Sequence, residues 1–82
     1  MEVITAAGNI EPPVYQMLLE RGYKIQYKED YFIAKKDDLE VKAYNIIELA
    51  GIIFLREVKG HKWKVDDEKI DNYIDFLKKS KA

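Results

Sequence analysis

The residues able to do covalent or proton chemistry are few, and their spacing does not bring them together. The single serine, Ser80, sits close to the C-terminal end of the sequence, whereas nucleophilic catalysis needs a hydroxyl held beside a base. The single histidine, His61, has no second histidine or cysteine with which to share a transition metal. Cysteine is absent, which excludes thiol catalysis, disulfides, iron–sulfur clusters and thiolate zinc sites. The densest carboxylate run, Asp66-Asp67-Glu68, lacks the alternating ligands and turn glycine of a calcium loop. Gly8-Asn9 precedes a helix, but no G-x-G-x-x-G or Walker spacing occurs, and Pro12-Pro13 remove donors from the turn that would hold a phosphate. The expectation is therefore a non-enzymatic protein with no catalytic residue, no metal site and no cofactor.

Chemistry of another kind is available in the tyrosines and lysines that alternate through the middle of the chain. Tyr23, Ile25 and Tyr27 alternate with Lys24, Gln26 and Lys28, the period of a half-buried strand. If Glu29-Asp30 is a two-residue turn, Tyr27 pairs with Phe32 and Ile25 with Ala34. A second turn at Asp37-Asp38 then pairs Ala34 with Val41, Phe32 with Ala43 and Lys35 with Glu40. Apolar meets apolar, and opposite charges meet. With Ile25, Tyr27, Phe32, Ala34, Val41 and Ala43 assigned to the core, the other face displays Lys24, Lys28, Tyr31, Ile33, Lys42 and Tyr44 together with Gln26, Lys35 and Glu40. Tyrosine and isoleucine among polar residues suit an interface centre with a polar rim. Tyrosines flanked by lysines also suit single-stranded nucleic acid, by stacking and by tracking the backbone.

The elements that must carry this face follow from local signals. Val3-Ile4-Thr5 has the character of a short edge strand. Pro12 and Pro13 suit the first turn of a helix bearing Val14, Met17 and Leu18, which Gly22 ends, with Tyr23 folding back onto Leu18. After the strands, Asn45 caps a second helix and Glu48 reaches back as in a capping box. Ile46, Leu49, Ala50, Ile53 and Phe54 form its core stripe, while Ile47, Ile52, Leu55 and Val58 extend the apolar character round most of the cylinder. It is expected to be the buried centre of the fold. His61 to Val65 is an extended link in which Trp63 reads as an anchor pinning the third helix to the core, or as a partner hot spot. Asp66 caps that third helix, Val65 and Ile70 have the spacing of a hydrophobic staple, and Ile70, Tyr73, Ile74 and Leu77 make its stripe.

The chain has 82 residues, 48% hydrophobic and 35% charged, with a net charge of −1. That is the size and composition of a single compact domain with one core, 1–82, folding without crosslinks. The near-zero charge gives no global attraction to nucleic acid or anionic membranes. No stretch has the length of a membrane span, the start lacks the pattern of a signal peptide, and the absence of cysteine suits a reducing compartment. Cytoplasmic location is expected, without a membrane partner.

The predicted fold class is α+β: a three-stranded antiparallel meander packed on helices, in the order (β)-α-β-β-β-α-α. From the first helix through the second, that order is similar to double-stranded-RNA-binding domains. Those domains open their last helix on a basic cluster that grips phosphates, and the matching position here reads Asn45-Ile46-Ile47-Glu48. The similarity is one of element order. The expected function is a small non-catalytic protein-binding domain of accessory, regulatory or immunity type. Its expected partner is another protein or a second copy, through Lys24, Lys28, Tyr31, Ile33, Lys42, Tyr44 and Trp63. The alternative is single-stranded nucleic acid on the same sheet face.

Overall fold

The computed structural model describes residues 1–6 and 9–80. Gly8, half of the Gly8-Asn9 turn considered above, lies outside them. The elements run α1 (Glu11–Glu20), β1 (Lys24–Lys28), β2 (Tyr31–Lys36), β3 (Leu39–Ala43), α2 (Ile46–Lys59), a 3-10 turn (Gly60–Lys62) and α3 (Asp67–Ser80). The fold is α+β, with one three-stranded antiparallel sheet in the order β1-β2-β3. Val3-Ile4-Thr5 does not form the expected edge strand. Val3 and Ile4 stand in solvent without a ladder partner, and three residues alone make too few hydrogen bonds to offset the entropy of ordering them.

The register is the one that the two-residue turns dictate. Ile25 faces Ala34 and Tyr27 faces Phe32; Ala34 faces Val41, Phe32 faces Ala43 and Lys35 faces Glu40. Glu29 and Asp30 both take positive φ, 55° and 69°, as a type I′ hairpin requires at its two central residues. α1 opens Glu11-Pro12-Pro13, with both prolines in its first turn. It ends in a Schellman motif at Gly22 (φ 94°), where the Tyr23 N–H donates to the Leu18 carbonyl and the Gly22 N–H to that of Leu19. The motif folds Tyr23 over Leu18, and both are buried.

α1 and α2 cover one face of the sheet. The core joins Leu18, Tyr23, Ala34, Val41, Ala43, Ile46, Leu49 and Ile53, with Ile25 and Phe32 packed against its margin. Tyr27 shares that face but lies past the reach of the helices, so it remains 63% exposed with its ring against Phe32. Two ties fasten the ends of the helices. The Arg21 guanidinium makes a two-pronged pair with the Glu57 carboxylate, and Lys36 Nζ donates to the Arg21 carbonyl at 2.8 Å.

Two expectations about the helices are corrected. α2 is not the buried centre: Ile46, Leu49 and Ile53 are buried, but Phe54, placed in the core stripe above, is 67% exposed, and Ile47, Leu55 and Val58 are exposed with it. The reason is α3, which does not cover that side, since no Cα of α3 lies within 8 Å of any other helix or strand. Trp63 accordingly does not pin α3 to the core; it is 37% exposed, with the Lys64 ammonium over its ring. The radius of gyration, 15.3 Å, exceeds the about 12 Å that a packed chain of this length would have. Among the described residues no helix is long and apolar enough to cross a membrane.

Candidate functional site

The face of the sheet turned away from α1 and α2 is built by the period-two alternation, which sends every second side chain of each strand to it. Antiparallel register sorts these side chains into rows running across the three strands. The middle row is Gln26, Ile33 and Lys42, and the row toward the second turn is Lys24, Lys35 and Glu40. At the other end Lys28 faces Tyr31, and Tyr44, one step beyond the last ladder pair of β3, lies beside Tyr31 with ring centroids 5.1 Å apart. Among the described residues no helix packs over this face.

Each row has its own physics. Glu40 is shared by two cations, with Lys35 Nζ at 3.5 Å and Lys42 Nζ at 3.8 Å. These are exposed pairs whose worth is mainly orientation. Four lysines against one carboxylate leave the face locally basic on a chain whose net charge is −1. Ile33 points to this face but is 8% exposed, because it occupies the middle of the central strand between the longer Gln26 and Lys42. It forms a floor rather than a prominence. The tyrosine pair is the prominent part. Tyr44 is anchored where the chain turns into α2: its backbone N–H donates to Glu48 Oε1 at 3.0 Å, while the Glu48 N–H donates to the Asn45 side chain at 2.7 Å. The capping box thus closes one residue earlier than its usual form, on Tyr44 instead of the cap residue. The phenol of Tyr44 titrates above its ordinary value, first through hydrogen bonding with the Tyr31 hydroxyl and then through that group's charge, with the Glu48 carboxylate adding.

The structure brings Lys24, Lys28, Tyr31, Ile33, Lys42 and Tyr44 onto one face and leaves Trp63 off it. Trp63 lies past the free edge of β3, in a groove shared with Val41, Ile52 and Arg56. A second concavity, of about 630 Å³, lies between Tyr23, Lys36, Arg56, Glu57 and His61. Its carboxylates are engaged or dispersed: Glu57 holds Arg21 and accepts a 3.4 Å hydrogen bond from the Tyr23 hydroxyl. Among the described residues no three His, Cys, Asp or Glu side chains come together as a cation site. Compared with protein-family models, curated proteins and solved structures, the chain matches none.

The exposed apolar back of α2 was missed by sequence reasoning as a surface. Its signal was present, in that Ile47, Phe54, Leu55 and Val58 lie opposite Ile46, Leu49 and Ile53 on the helix. An all-round apolar helix reads as buried unless the element expected to cover it is known to be elsewhere.

Proposed function

We propose that the chain is a non-catalytic protein-binding domain of accessory, regulatory or immunity type, acting in the cytoplasm through the open sheet face. The observation that supports this reading is the side-by-side Tyr31/Tyr44 pair, with Lys28 and Lys42 near it, Lys24 and Lys35 at the far end of the same face, and no helix over it among the described residues. Tyrosine offers contact area at low entropic cost, and the lysines favour an acidic partner surface through faster encounter. The matching experiment compares wild type with Tyr31→Ala/Tyr44→Ala. Proteins retained from the parent cell's lysate are identified, and the purified partner is then titrated against both. Loss of binding in the double variant, with an unchanged melting curve, is expected; an undiminished affinity removes this face from the proposal.

The same pair favours one second reading, single-stranded nucleic acid, since each phenol can stack on a base and the lysines can follow phosphates. A fluorescent oligothymidylate at low salt separates the two. Binding that weakens steeply with salt, with a slope about one unit flatter for each lysine removed, would establish the second reading in place of the first.

A further inference from the structure

α2 and α3 each carry an apolar stripe that the chain itself leaves uncovered. On α2, Ile47, Gly51, Phe54 and Val58 are spaced four, three and four residues apart, the repeat of a helix that packs along a second helix. They lie opposite the buried Leu49 and Ile53, with Leu55 at their margin. On α3, Ile70, Ile74 and Leu77 are spaced four and three residues apart, with Tyr73 and Phe76 beside them. α2 and α3 have the same length, 14 residues. Packed helices run about 8–10 Å apart axis to axis, with facing Cα atoms closer still, and α3 approaches α2 nowhere so closely. Its path is set by the bend at Gly60 (φ 63°, ψ −137°) and the 3-10 turn that follows. Val65 and Trp63 line an open groove between Leu55 and the first turns of α3.

We infer that the stripe of α3 docks along the outer face of α2 in a second copy of this chain, reciprocally, to give a two-fold dimer. Three observations select a second copy as the occupant. The two faces are complementary and belong to one chain, so two copies related by a two-fold axis satisfy both at once. The charges flanking the stripes match in the antiparallel sense: Glu48 at the start of α2 meets Lys78 at the end of α3, and Lys59 at the end of α2 meets Asp67 and Asp71 at the start of α3. The area is sufficient. Counting Leu55 and Phe76 at the margins, four large side chains are exposed on each helix, and at roughly 100 Å² apiece these approach the about 800 Å² that each partner contributes to a stable interface. Gly51 lies at the middle of the α2 stripe, where an added Cβ would meet nothing within 4 Å, so a second helix can approach closely there.

The inference goes beyond the proposed function, because it uses another surface and stands without it. The test is sedimentation of the full chain over a range of concentrations, with helix content followed by circular dichroism. Wild type should dimerise, and its helix content should rise with concentration, since an undocked helix of α3's length is marginal in water. Phe54→Glu/Val58→Glu and Ile70→Glu/Ile74→Glu should each weaken self-association on the order of 100-fold or more. Mixed together, these two variants should form a heterodimer through the one seam still intact. Gly51→Glu cannot disturb the core and favours helix, so it should lose the dimer while remaining folded. Tyr31→Ala/Tyr44→Ala should dimerise as wild type does, which separates this result from the fate of the sheet face. A wild type that stays monomeric at its solubility limit overturns the inference, whether α3 folds back on its own α2 or stays free. Dimerisation undiminished in the α3 variant, or two variants that fail to combine, would overturn it equally.

Discussion

Tyr44 combines three roles in one residue, one of them carried by its backbone. Its N–H closes the cap of α2, its ring lies against Tyr31, and its hydroxyl faces solvent at the prominent end of the sheet face. The raised pKa of its phenol follows from that arrangement, with the Tyr31 hydroxyl as its first cause. Because the neutral form is favoured, ionisation is delayed to pH values above the usual tyrosine range near 10. Following tyrosinate absorbance with pH should show one phenol titrating late in wild type and returning toward its ordinary value in Tyr31→Phe. An unchanged curve would mean that the two hydroxyls do not meet. The residue types of this face were legible in the alternation of Tyr, Ile and Lys. That Ile33 would be a shaded floor was not, because exposure at the middle of a central strand depends on how Gln26 and Lys42 lie across it.

At the scale of elements, turn and cap chemistry decided nearly everything. The meander rests on two two-residue turns, and the first holds Glu29 and Asp30 in left-handed conformations that L-residues with a Cβ adopt at a cost. Replacing them by the residues that a type I′ turn favours, Glu29→Asn with Asp30→Gly, should therefore stabilise the fold by about 1 kcal/mol. That gain would raise the melting temperature by about 4–8 °C. A neutral or lower melting temperature would show that these side chains make contacts in the turn that offset their strain. Register, the Schellman end of α1 and the caps of α2 and α3 were all readable beforehand, since each involves residues only a few positions apart. The Asp66 carboxylate, for instance, accepts from the Lys69 N–H at 3.1 Å. Val3-Ile4-Thr5 failed for the opposite reason: strand propensity is local, but a strand exists only if a distant edge receives it.

For the molecule as a whole, the core is smaller than its apolar content suggests. Stability on the usual per-residue scale is on the order of 4–12 kcal/mol, and it rests on the sheet, α1 and one side of α2. Ile53→Ala, in the middle of that contact, should cost about 2–5 kcal/mol in chemical denaturation. Ile74→Ala on α3 should change the stability of the dilute monomer by no more than about 0.5 kcal/mol. Equal losses would show that α3 is part of the cooperative core in solution.

The sequence by itself determined that the chain is α+β, which side chains share each face of the sheet, and where the three α-helices begin, because these are matters of period, turn length and capping; the 3-10 turn over Gly60–Lys62, in what reads as an extended link, was not legible. Only the tertiary structure decided what covers what. α2 is apolar round most of its circumference, so either side could have met the core, and the other could have met α3 or nothing. The backbone path through Gly60 and the 3-10 turn leads α3 away. That leaves two helical stripes open in addition to the tyrosine–lysine face.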